Sequence, residues 1–194
     1  CRWCAVYAYL ETGRYSAPIP HLCAIAREAR KFKEDWQKNH LRYFRIADIT
    51  VRIESDLDLS KTKFKEELLA FAVEGPDDDN VTFRHIFELP DLEGKDIGKE
   101  LYRKPPWAIS RDKNGAWFYR GISPDPEDKS LHRVAVFSAD HTRGIIYSPS
   151  RDLEHIDSNG WQSLSLFPTD QIWLGPLLAD RNAVLVHSAA AVVN

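Results

Sequence analysis

Methionine is missing altogether from these 194 residues, and the first residue is Cys. The sequence therefore reads as a window onto a longer chain. A basic excess is missing too: 26 Lys and Arg stand against 29 Asp and Glu. That balance removes the electrostatic footprint of a nucleic-acid binder. No apolar run reaches the roughly 18 residues a membrane-spanning helix needs. The longest, near the C-terminus, is interrupted by His187 and Ser188. The N-terminus lacks the basic, apolar and small-residue succession of a secretory signal. A cytoplasmic location is the expectation, with neither membrane nor nucleic acid as partner. Cysteine is scarce and confined, with all three residues in the first 23.

What is present is an ordinary globular composition, 43% hydrophobic and 28% charged, enough to bury a core. The charge is unevenly spread. Residues 1–41 carry seven Lys and Arg and four Asp and Glu, whereas 42–194 carry nineteen and twenty-five. The pattern of apolar residues changes at the same place. From Pro20 to His40, Leu22, Ile25, Ala26, Ala29, Phe32 and Trp36 recur at helical spacing. Beyond residue 42 the period becomes two, beginning with "YFRIADITVRI" (43–53). Further strands are expected in "VTFRHIFEL" (81–89), "WAISR" (107–111), "AWFYRGI" (116–122), "HRVAVFSA" (132–139), "RGIIYSP" (143–149) and "QSLSLFP" (162–168). Asn114-Gly115 favours a tight hairpin turn between two of them. "SPDPEDKS" (123–130) reads as a polar loop. Short strands at this spacing predict a largely antiparallel sheet. A helix is expected over "TDQIWLGPLLAD" (169–180), with Thr169 as N-cap, Asp170 at its positive end, and a kink or break at Gly175-Pro176.

The cysteines form "CRWC" followed by Cys23. A C-x2-C turn directs two sulfurs to a common point and can offer both thiolates to one metal. Two thiolates are half a site, and the alternative is Cys23 packed as a small apolar residue at a helix start. The stretch "CRWCAVYAYLETGRYSAPIPHLC" with its basic amphipathic helix resembles the tail of a SPASM domain, the auxiliary iron–sulfur module of radical SAM peptide-modifying enzymes. The resemblance covers residues 1–41 and implies an iron–sulfur cluster held by Cys1, Cys4 and Cys23. The sequence departs from that pattern in lacking further closely spaced cysteines after Cys4, and the radical SAM C-x3-C-x2-C motif is absent.

The stretch "LFPTDQIWLGPLLADRNAVLVHSAAAVVN" resembles the entry into the nucleotide-binding core of HPr kinase-like proteins, relatives of ATP-dependent phosphoenolpyruvate carboxykinases. In that group a helix, a polar turn and a histidine-bearing strand precede a phosphate loop of the form G-x-x-x-x-G-K-[ST], whose backbone N–H groups cradle phosphate. No such loop occurs in residues 1–194; "EGKD" and "IGKE" lack both the hydroxyl and the glycine spacing. The resemblance implies ATP and Mg2+ as cofactors of a longer protein and an active-site role for His187, which by itself also reads as a buried strand histidine. Ser188 stands where HPr kinases carry Gly, and the upstream region differs from their regulatory domain, so HPr itself is not the implied substrate.

Two other groups carry chemistry. "GPDDDN" (75–80) gathers three carboxylates, but without the ligand alternation of a calcium loop it reads as solvated. Arg103, Lys104, Arg111, His141 and Arg143, with Trp107 and Trp117, would make a basic, aromatic-edged surface for a peptide if they met; ordinary sheet edges and turns are the simpler reading. The chain is thus expected to be α+β in three parts. Residues 1–41 form a Cys-containing helical tail, 42–167 a mainly antiparallel β-rich domain, and 168–194 the first helix and strand of a P-loop kinase core. The functional expectation is a non-catalytic portion of an ATP-dependent HPr kinase-like protein. The alternative is a peptide-recognition or accessory module of a radical SAM peptide-modification system. Either has a peptide or protein substrate as partner.

Overall fold

The computed structural model describes residues 31, 34–125, 127, 128, 130–167 and 170–184. Helical residues 34–40 (α1) lead directly into β1 (Leu41–Ile46) and β2 (Ile49–Ser55). Next come α2 (Glu66–Leu69), β3 (Ala72–Val73), β4 (Asn80–Ile86), β5 (Lys99–Lys104), β6 (Trp107–Arg111), β7 (Trp117–Gly121), β8 (Arg133–Phe137) and β9 (Arg143–Tyr147). Two helices follow, α3 (Asp152–Asn159) and α4 (Gln171–Asp180). The nine strands among the described residues belong to one sheet, ordered β3-β1-β2-β4-β9-β8-β7-β6-β5. Its pairings are antiparallel except β2–β4 and β4–β9, which are parallel. The protein is thus a mixture of helix and a large, mainly antiparallel sheet. No described helix is long and apolar enough to cross a membrane.

Alternation explains the strands. In β4 and the second half of β2, buried Ile53, Ser55, Val81, Phe83 and His85 alternate with more exposed residues, because successive side chains leave a strand on opposite faces. Register then sets one core row across the sheet: Ile53, Phe83, Gly144, Phe137 and Trp117. The neighbouring row holds Ser55, His85, Ile146, Ala135, Tyr119 and Ile109. Trp161, Leu164 and Phe167, with Trp173, Leu174 and Leu177 of α4, share a single buried cluster with these residues. The helix expected to open a kinase core therefore packs with the sheet of residues 42–167.

The aromatic centre of this core depends on a glycine. Phe83 meets Phe137 edge to face at 5.6 Å and Trp173 at 4.9 Å. A Cβ on Gly144 would come within 2.5 Å of Phe137 Cδ1 and 3.1 Å of Phe83 Cδ1. No side chain fits there while both rings hold their places.

Several expectations need correction. "YFRIADITVRI" is a hairpin, turning at Ala47-Asp48 with Ala47 at φ 53°; the turn carries no glycine to announce it. "QSLSLFP" is not a strand. Leu164 and Ser165 are buried in a tight turn, and the backbone N–H groups that a neighbouring strand would take donate to the Asp170 carboxylate, at 2.9 and 2.7 Å. Asp170 is the N-cap of α4, but its side chain makes no cap hydrogen bond and turns to this loop instead. Thr169 lies outside the described residues. Helix α4 is assigned without a break through Gly175 and Pro176; its buried Trp173, Leu174 and Leu177 hold it against the sheet on both sides of the proline. Strand β5 was not foreseen because all six of its residues are exposed, leaving no periodicity to read. Helix α3 buries only Ile156 and shows equally little pattern.

Replacing Gly144 by Ala drives a methyl group into Phe137 and Phe83. The variant is expected to lose about 3 kcal/mol, the upper end for an overpacked core. Urea denaturation with an unchanged m-value measures it, and a loss below about 0.5 kcal/mol would show that the rings yield freely.

Candidate recognition cleft

Four residues singled out from the sequence, Cys1, Cys4, Cys23 and His187, lie outside the described residues. The acidic "GPDDDN" loop is spent on ion pairs: Asp77 with Arg45, and Asp79 with Arg181 at 2.7 Å. No group of three or more His, Cys, Asp or Glu side chains able to hold a metal occurs among the described residues. The basic, aromatic-edged group comes together only in part, with Arg111 and His141 both packed on Trp117. Strand β6 separates Trp107 at its start from Arg111 at its end. Arg103 is bound to Glu100 on the sheet edge, and Arg143 lies exposed on β9. Arg111 stacks over Trp117, 4.7 Å from the ring centroid.

His141 is buried in the turn between β8 and β9. It packs on Phe137 and Trp117, with Nε2 3.3 Å from the Tyr119 hydroxyl. Burial lowers its pKa, opposed by the charges of Asp180 and Asp140 and assisted by Arg111. His85 is buried more deeply. Its Nε2 donates to the Leu164 carbonyl at 2.9 Å, and its ring meets Trp161 edge to face at 4.7 Å. Burial, with the nearby Arg133 charge adding and the Leu164 bond opposing, pushes its pKa down to about 3. Both histidines are core residues held neutral by their surroundings.

A concavity opens at the other end of the meander, where β6 starts, β7 ends and β8 starts. Register aligns Trp107, Gly121 and Arg133 side by side on the core face. The missing side chain at Gly121 leaves room between the outer two, and Phe167 contacts both. It stacks on Trp107 at 5.1 Å, and the Arg133 guanidinium lies 5.6 Å from its centroid. Beside these rings lies a cleft of about 420 Å³, completed by Pro106, Ile122 to Pro124, His132, Arg151 and Asp152. Its size lies within the range of small-ligand sites.

The charges of the cleft are mostly committed. Arg133 is ion-paired with Asp152, and His132 Nε2 lies 3.3 Å from Asp128. Arg151 is exposed at the start of α3 and has no ion-pair partner among the described residues. The cleft thus offers the half-buried Trp107 ring, backed by buried Phe167, and, among the described residues, one guanidinium without an ion-pair partner, which is the chemistry of recognition. Of these residues only Trp107 stood out in the sequence. Gly121, Arg133, Arg151 and Phe167 come from four separate segments, and strand register alone brings Gly121 beside Trp107.

The wall formed by Phe167 is fixed by Asp170, whose carboxylate also accepts from Trp173 Nε1 at 3.0 Å, besides Leu164 and Ser165. One carboxylate ties the cleft loop to α4. Against this geometry, a scan of family models found no match, and neither curated proteins nor solved structures gave one.

Two outcomes are expected. Asp170→Ala removes three hydrogen bonds to a charged acceptor and should cost on the order of 3 kcal/mol of stability, read from the denaturation midpoint; a midpoint unchanged from wild type would refute the clasp. Since His85 has a lower pKa folded than the ordinary 6.5, the unfolded chain takes up its proton first. Stability is full above pH 6.5 and falls toward pH 3, by about 2 kcal/mol at pH 5. His85→Gln, which keeps a donor for Leu164, should flatten that part of the profile, leaving the smaller slope from His141. Superimposable slopes for wild type and variant between pH 7 and pH 5 would remove His85 as the cause.

Proposed function

We propose that this chain is the substrate-recognition portion of an ATP-dependent, HPr kinase-like protein. The observation that carries the reading is the position of the cleft. Its wall, Phe167, sits in the loop that Asp170 clasps to α4. Helix α4 itself belongs to the stretch whose sequence resembles the entry to a kinase core. A peptide held at the cleft is therefore close in sequence to the point where phosphate chemistry would begin.

In this reading the present chain binds and orients the acceptor. ATP and Mg2+ belong to a longer polypeptide, because residues 1–194 contain no phosphate loop. Bound there, the nucleotide would supply the phosphoryl group. His187 would act beside it, contacting the acceptor or handling its proton.

Calorimetry with Mg-ATP on two polypeptides tests the proposal: the present chain, and one continued past Asn194 by about 130 residues, a usual domain length. Binding by the longer polypeptide alone is the expected result. No binding by either overturns the kinase assignment and leaves a recognition module. Binding by the present chain would place the nucleotide site here and overturn the division of labour.

A further inference from the structure

The cleft's own chemistry narrows its ligand, on the premise that it is a recognition site. Most of its polar side chains are engaged within the fold: Arg133 and Asp152 pair with each other, and His132 Nε2 lies 3.3 Å from Asp128. Arg151 remains, exposed and unpaired among the described residues. Around these groups the lining is apolar, contributed by Trp107, Phe167, Ile122 and two prolines. About 420 Å³ accommodates one large side chain with its flanking backbone, not a folded domain.

We propose that the cleft captures a peptide by one aromatic side chain with a carboxylate beside it, the ring packing on half-buried Trp107, which buried Phe167 backs, and the carboxylate meeting Arg151. A cationic neighbour would face Arg151 with like charge, and a neutral one would leave it unpaired. Rigid aromatic contact supplies most of the binding at low ordering cost, while the single arginine supplies the discrimination. The carboxylate has two sources, the chain-terminal group of a peptide or an Asp or Glu side chain next to the aromatic residue.

Three short peptides separate these sources: acetyl-Gly-Trp with a free C-terminus, acetyl-Glu-Trp-amide, and acetyl-Lys-Trp-amide. Each is titrated into the 15N-labelled chain, following the backbone amides of Gly121, Ile122 and Arg151. One or both carboxylate peptides should shift these amides and bind about fivefold more tightly than the lysine peptide, the discrimination available to a partly exposed charge pair. Arg151 is exposed, so Arg151→Glu leaves the fold intact and should reverse the preference toward the lysine peptide. Equal affinity of all three peptides at the cleft overturns the carboxylate selectivity but leaves recognition standing. An unaltered preference in Arg151→Glu has the same consequence. Absence of shifts at these amides with every peptide overturns both the ligand assignment and the recognition site.

Discussion

The architecture rests on a steric constraint at Gly144. Phe83 and Phe137 occupy the space that any larger residue would need there, and Trp173 packs on Phe83 from the helix above. This contact joins sheet to helix at the seam between the parallel and antiparallel parts of the sheet. Much else follows from it. Once Trp173 is seated, Asp170 is held one helical turn away, and its carboxylate gathers the backbone of Leu164 and Ser165. That turn delivers the Leu164 carbonyl to His85 and places Phe167 against Trp107. A packing contact, a polar clasp and a binding wall form one series.

The same region shows how the fold separates its polar groups by role. His85 and His141 are rich in potential chemistry, yet burial keeps both neutral and aromatic neighbours enclose them. Arg133 is half withdrawn, held by Asp152 and Phe167. Arg151, one residue before Asp152, stays in solvent. Neighbours in sequence thus serve opposite ends: one carboxylate closes an ion pair, and the adjacent guanidinium faces outward.

Much of the sheet was legible in the sequence because its central strands are short, apolar and bounded by turn residues. β4 carries the alternation that one-sided burial imposes, β7 and β8 read as short apolar runs between turns, and the five-residue link containing Asn114-Gly115 turns where its residues predict, with Gly115 at φ 89°. The failures have physical causes. β5 buries nothing, so it leaves no trace in hydrophobicity and exists by pairing with β6. "QSLSLFP" has the right alternation, but a side-chain carboxylate satisfies its backbone and no strand is needed. The candidate site was mostly illegible, since its residues converge only through register and through a loop fastened by Asp170. The sequence motifs with the sharpest functional resemblance, the cysteines and His187, lie outside the described residues.

β9 sits between β4 and β8, although it is the last strand in sequence among the described residues. The strands before it therefore fall into two groups, β1 to β4 on one side and the β5 to β8 meander on the other, which pair with each other only through β9. During synthesis both groups emerge from the ribosome before the element that unites them. Until residues 143–147 arrive, β4 and β8 each present an open edge, and the aromatic centre over Gly144 cannot close. The strand that joins the two groups of the described sheet is thus also a checkpoint in time, since neither group can close the shared core before it.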